Sequence, residues 1–143
     1  MHTPRPSLNL RRTFLTGFAL LAAMSCMVAI AQTEKAAPKK LTPEELKQMI
    51  ETKQKFFFLD VREPKELEEV GTIKGYVNIP LGQLEARINE IPKNVSIVSA
   101  CAHAVRAAKA AVILEKHGYK QISLCALAEY KEKGYEMIHP KAQ

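Results

Sequence analysis

Val98-Ser99-Ala100-Cys101-Ala102-His103-Ala104-Val105-Arg106 decides how this chain is read. Residues 95–99, Val-Ser-Ile-Val-Ser, form a stretch too short for a helix, which reads as a buried strand. A loop over residues 100–105 follows, and an alanine-rich helix then runs from about Arg106 to His117, with Gly118 placed to end it. The start of a helix presents backbone N–H groups without acceptors and the positive end of the helix dipole. A thiol there is expected to be a better nucleophile at neutral pH, and the same N–H groups suit an anion. Arg106 adds a fixed positive charge and His103 a titratable one. The chemistry suggested is a thiolate attacking an anionic substrate, with a covalent intermediate on sulfur. Spacing alone leaves a plainer reading open, in which Cys101 is a small buried residue at a strand end.

Working outward, strands and helices alternate. Thr42-Pro43-Glu44-Glu45 is a helix start, with Thr42 to cap, Pro43 at the first helical position and Glu45 to complete a capping box. Phe56-Phe57-Phe58-Leu59 is a first strand buried on both faces, ending at Asp60. Residues 64–70 form a short acidic helix. Tyr76-Val77-Asn78-Ile79 is a second strand, stopped by Pro80. Leu84, Ile88 and Ile91 recur at helical spacing through residues 81–91. Residues 121–124 form a further strand, 127–133 a last helix ended by Gly134, and 136–138 an extended finish. This order predicts a single α/β domain with a mainly parallel central sheet and helices on both faces. Functional loops then lie at the carboxyl ends of strands, where Cys101 and Cys125 both fall.

The ends are read separately. Residues 1–10 are polar, Arg11-Arg12 follows, and no charge occurs from Phe14 to Ala31. Ala29-Ile30-Ala31 supplies small residues for a peptidase, so residues 1–31 read as a secretory signal cleaved after Ala31. Arg11-Arg12-Thr13-Phe14-Leu15 also fits a twin-arginine leader, and retention as a membrane anchor is the alternative to cleavage. Residues 32–40 read as a linker, 41–138 as the domain and 139–143 as a tail. Losing residues 1–31 removes three arginines and no acid, so the formal charge falls from +6 to +3. With few aromatics and no dense basic cluster left, nucleic-acid binding is not expected. Of three cysteines, Cys26 leaves with the leader, and Cys101 and Cys125 remain.

Four stretches together resemble one family. Asp60-Val61-Arg62-Glu63-Pro64 resembles the DVREP signature of rhodanese domains. Residues 71–80, GTIKGYVNIP, resemble their GHIPGAxNIP signature. Cys101 to Arg106 matches the CxxGxR active loop in length, and residues 127–135, LAEYKEKGY, resemble LAxWKxxGY. The resemblance implies a single rhodanese-like domain with sulfurtransferase activity and no metal or organic cofactor. It implies Cys101 as nucleophile, loop N–H groups from Ala102, His103, Ala104, Val105 and Arg106 as a persulfide cradle, and Asp60 and Arg62 as organisers. The partners implied are a small sulfur-containing anion as donor and a thiol or cyanide as acceptor; the leader adds the expectation of periplasmic export, and a monomer is expected. Four residues between Cys101 and Arg106, where the related phosphatases have five, favour sulfur over phosphoryl transfer.

The sequence also departs from the family pattern. Ala102 stands where active thiosulfate enzymes often have a cation, which weakens the case for a dianionic donor. Ala104 replaces the loop glycine. Cys125 occupies a shortened turn after the last strand, where the family has paired glycines. Cys125 is read either as a packed residue or as a second thiol that resolves or pairs with Cys101. A non-catalytic binding module and a Cys101–Cys125 redox protein are therefore the rival functions. Glu63, Glu66, Glu68 and Glu69 read as a solvated acidic face.

Overall fold

A computed structural model describes residues 37–141, and the expected leader lies outside them. The element order is β1 (Lys39–Lys40), α1 (Pro43–Glu51), β2 (Phe57–Asp60), α2 (Pro64–Val70), β3 (Tyr76–Asn78), β4 (Ile97–Cys101), α3 (Val105–Lys116), β5 (Ile122–Ala126) and α4 (Leu127–Glu132). The five strands form one sheet in the order β1-β5-β4-β2-β3, with every pairing parallel. Parallel neighbours require crossovers, and the alternating helices supply them.

The strand pattern sorts side chains into two cores. Leu59, Ile97, Cys101 and Ile122 face one cluster, closed by Ala107, Ala110, Ala111 and Leu114 of α3 together with Leu84, Ile88 and Ile91. Phe58, Val98, Ala100 and Cys125 face the other, closed by Leu46 of α1 and by Leu127 and Tyr130 of α4. Both faces are covered, which is why the strands read as continuous apolar runs rather than alternating ones. The Thr42 capping box forms as expected: its hydroxyl accepts the Glu45 N–H at 3.1 Å, and the Glu45 carboxylate accepts the Thr42 N–H at 2.9 Å.

Two expectations are corrected. Residues 32–40 are not all linker, because Lys39 and Lys40 pair with Ser123 and Leu124 as an edge strand. A two-residue strand shows no periodicity, and lysines are common on edges because they discourage further pairing. Their ammonium groups pair with Glu45 and Glu129. Residues 81–91 bury Leu84, Ile88 and Ile91 as read, but not as one α-helix. Two 3-10 turns, Leu81–Gln83 and Ile88–Glu90, do the work, with i→i+3 bonds such as Gln83 N–H to Pro80 O at 2.8 Å. Apolar spacing fixes which residues are buried and leaves open how tightly the backbone winds.

Candidate active site

From β2 the chain moves to β3 on one side, and from β4 to β5 on the other. The connections leaving β2 and β4 therefore diverge at the carboxyl end of the sheet, the topological switch point where such folds bind ligands. The motifs at Asp60 and Cys101 meet at that switch point, since Asp60 is in register with Ala100.

Cys101 is the last residue of β4 rather than part of the loop, and is 2% exposed. Ala102, His103 and Ala104 turn the chain, and α3 begins at Val105. The first intrahelical bond runs from the Ala108 N–H to Ala104 O at 2.9 Å. The N–H groups of Val105, Arg106 and Ala107 thus have no acceptor within the helix. The Ala107 N–H points at the Cys101 sulfur, 3.4 Å away. The loop is braced on both sides: the Ala128 N–H donates to Ala102 O at 3.0 Å, and the Ser99 hydroxyl to Ala107 O at 3.3 Å. Ala104 keeps the left-handed conformation that glycine ordinarily supplies, with φ 62° and ψ −6°. The turn shape is retained, and strain replaces glycine's freedom. His103 and Val105 are exposed at the mouth.

Arg106 does not reach freely into the cradle. Its two terminal nitrogens each donate to one carboxylate oxygen of Glu66, both at 2.6 Å. Hydrogen bonding to Arg106 lowers the pKa of Glu66 below its usual 4.5, and the same bond raises that of Arg106, with the charges of Glu66, Cys101 and Asp60 adding in the same sense. Glu66 also accepts the Glu63 N–H at the start of α2. Its assignment to a solvated acidic face is therefore corrected: Glu66 joins α2 to the first turn of α3. An isolated acidic run carries no sign of a partner forty positions away, so the sequence offered no signal for it.

Asp60 and Arg62 are 0% and 1% exposed and form a closed network. Arg62 donates from Nε to Asp60 Oδ1 at 2.9 Å and from Nη2 to Oδ2 at 2.6 Å. The same Nη2 donates to Gly71 O at 2.8 Å, and the Thr72 hydroxyl donates to Asp60 Oδ2 at 2.7 Å. Asn78 Nδ2 donates to the carbonyls of Asp60 and Arg62 at 2.9 and 2.8 Å. Gly71 has φ +91°, and a Cβ there would meet Ile138 O at 3.1 Å and the His139 ring at 3.2 Å. Asp60, Arg62, Gly71, Thr72 and Asn78 thus form one buried knot beside the end of β4.

Cys125 lies within β5, in register with Ala100, while Cys101 is in register with Ala126. Parallel neighbours share a face, so the Cys125 and Cys101 sulfurs lie on opposite faces of the sheet, and both are free thiols. Burial first, then the charges of Asp60, Cys101 and Glu129, push the Cys125 thiol up to about 12. A thiol so placed stays protonated and attacks poorly. Geometry and chemistry favour the packed reading of Cys125.

The parallel sheet, the diverging strand ends and a strand-end thiol facing the start of the next helix define a cysteine-centred α/β domain. The rhodanese-like domain family matches residues 42–127, and the chain belongs to that family. The chain is 36% identical over 83 residues to YrkF of Bacillus subtilis, which carries a sulfur-carrier name, covering 58% of this chain and 44% of YrkF. It therefore spans less than half of that relative. YtwF of the same organism, named as a sulfurtransferase, is 27% identical over 86 residues, covering 60% of this chain and 82% of YtwF. A rhodanese-related protein from Thermoplasma volcanium superposes with a TM-score of 0.64 at 27% identity, over 71% of this chain and 99% of that one.

Proposed function

We propose that this chain is a sulfurtransferase that carries sulfane sulfur on Cys101. With thiosulfate as the simplest donor, the Cys101 thiolate attacks the outer sulfur. A bond forms between Sγ and that sulfur, and the bond to the sulfonate sulfur breaks with its electron pair, releasing sulfite. The resulting persulfide sits against the N–H groups at the start of α3. Cyanide or a thiol then takes the outer sulfur and the Cys101 thiolate returns. The oxidation states of donor and acceptor exchange with no outside electron source, and no metal is needed. Asp60 and Arg62 act as organisers that hold the strand end in place. The leader expected over residues 1–31 supports a periplasmic site of action.

One observation carries this reading: the Ala107 N–H 3.4 Å from the Cys101 sulfur, at a helix start whose preceding N–H groups lack intrahelical acceptors. Intact mass after incubation with a sulfane donor tests it. A gain of one sulfur atom, absent in Cys101→Ser and reversed by cyanide, is expected. No gain from thiosulfate or from an organic persulfide points instead to a rhodanese-like binding module.

A further inference from the structure

The proposed reaction leaves the donor's charge unspecified, and the cradle's side chains bear on it. A thiosulfate dianion requires positive charge at the mouth of the loop. Ala102 brings none. Arg106, the loop's fixed cation, has both terminal nitrogens engaged by the two oxygens of Glu66, and these side chains are only about one-third exposed, at 35% and 33%. A bidentate pair of this kind is geometrically saturated on that edge and electrically close to neutral. The remaining attraction comes from helix N–H groups, which favour an anion by a modest amount, and from the exposed His103 side chain. An organic hydropersulfide, R–S–S–H, needs no such cation, because its electrophilic form is neutral.

We propose that the Glu66–Arg106 pair sets donor selectivity, disfavouring dianionic thiosulfate and leaving Cys101 to draw sulfur from small organic persulfides. This rests on Cys101 being a sulfur carrier. The step balances: the Cys101 thiolate attacks the outer sulfur of R–S–S–H, an Sγ–S bond forms, the donor's S–S bond breaks, and R–S⁻ leaves with the electron pair. Cys101 retains S–S–H, and the single negative charge passes to the departing thiolate. Glu66 acts here through Arg106, as a positioning residue that touches no donor atom.

The test is the rate of Cys101 persulfide formation, read by intact mass, with two probes: thiosulfate and the persulfide of 2-mercaptoethanol. The readout is the ratio of the two rates, since damage to the loop slows both donors alike. In the wild-type chain the persulfide is expected to load faster. In Glu66→Gln, where the amide still caps α2 but no longer neutralises Arg106, the thiosulfate-to-persulfide ratio is expected to rise about tenfold, the scale of a hydrogen bond to a charged group. Ala102→Arg, which places a cation that Glu66 does not already hold, is expected to raise the same ratio and covers the case in which Glu66→Gln fails to fold. Raised salt is expected to erase the gain in either variant. A ratio that stays at the wild-type value in folded Glu66→Gln, or in Ala102→Arg if Glu66→Gln does not fold, overturns the proposal. Equal loading by both donors in the wild-type chain overturns it as well. Failure of both donors to load Cys101 in every one of the proteins overturns the carrier reading beneath it, and this inference with it.

Discussion

Replacing Asp60 by Asn is expected to destabilise the domain far more than a surface substitution. Asp60 and Arg62 are 0% and 1% exposed, so neither has water to turn to. The carboxylate accepts from Arg62 Nε at 2.9 Å, Arg62 Nη2 at 2.6 Å, the Arg62 backbone N–H at 3.1 Å and the Thr72 hydroxyl at 2.7 Å. The amide keeps one acceptor oxygen but turns an NH2 toward donors, leaving a buried guanidinium without its counter-charge. Breaking one side of a buried pair costs about 3–5 kcal/mol. A domain of this size has roughly 5–15 kcal/mol in all. The variant is thus expected to fold marginally, with the midpoint of urea unfolding moved sharply down.

Magnitude alone does not prove the cause, and a second substitution does. Replacing both partners, Asp60→Leu with Arg62→Met, removes the uncompensated charge together with the pair, and apolar replacement of buried pairs is often close to neutral. The Gly71 carbonyl and Thr72 hydroxyl each lose a partner, at about 1–3 kcal/mol per unsatisfied group. The double variant is still expected to be more stable than the sum of its single variants by roughly 1–3 kcal/mol, the coupling of residues in direct contact. Strict additivity, or a cost below about 1 kcal/mol for Asp60→Asn, would refute the reasoning that the network holds this corner of the fold.

Four further outcomes follow from the geometry. Ala104→Gly relieves a left-handed alanine and is expected to stabilise the domain by about 1 kcal/mol in chemical denaturation, with the loop's shape unchanged. Gly71→Ala adds a Cβ 3.1 Å from Ile138 O at φ +91°, and is expected to lower the melting temperature and loosen the Thr72–Ile138 bridge, read by hydrogen exchange at those amides. Cys125, with its thiol raised to about 12 by burial, is expected to resist alkylation at pH 8 while the fold is intact and to react after denaturation. Glu66 has its pKa lowered by Arg106, so its contribution to stability is present above the unfolded value near 4.5 and is lost as pH falls through the lower folded value. The stability difference between wild type and Glu66→Gln is therefore expected to shrink as acid unfolding is followed from pH 6 to pH 3.

The alternation of elements was legible because the central strands are buried on both faces and α1 and α2 carry start signals of their own, Thr42-Pro43 and Glu63-Pro64, whereas α3 and α4 start at alanines that cap nothing. The neighbourhood of Cys101 between a short strand and an alanine-rich helix was legible, but its exact place was not: residues 100–105 read as loop, while β4 runs on through Cys101. Lys39–Lys40 was not legible, since an exposed edge strand of two residues owes its existence to β5 and not to its own side chains. The winding of residues 81–91 was half legible, burial being set by spacing and pitch by packing. At the site, Asp60 and Arg62 were found, but Thr72 and Asn78 were found only as parts of a pattern. Glu66 was read as solvated because its partner is remote in sequence. Long-range pairs of exposed-looking charges leave no local trace, whereas a helix cap or a strand end does.

The structure also explains how a loop that departs from its family pattern at Ala102 and Ala104 keeps its form. The groups facing the Cys101 sulfur are backbone N–H groups, and what fixes them lies outside the substituted positions. Ala128 holds the Ala102 carbonyl, Ser99 holds the carbonyl of Ala107, Glu66 holds Arg106, and the Asp60–Arg62 knot holds the neighbouring strand end. A side chain lost from the loop changes the local charge or adds strain at one φ value, but removes none of these braces. The same logic places Cys125: it belongs to the core cluster of Leu127 and Tyr130 on the far face, where it fills space rather than meeting Cys101. Variation in the loop is thus expected to tune which donor is accepted, and variation in the braces to decide whether there is a cradle at all.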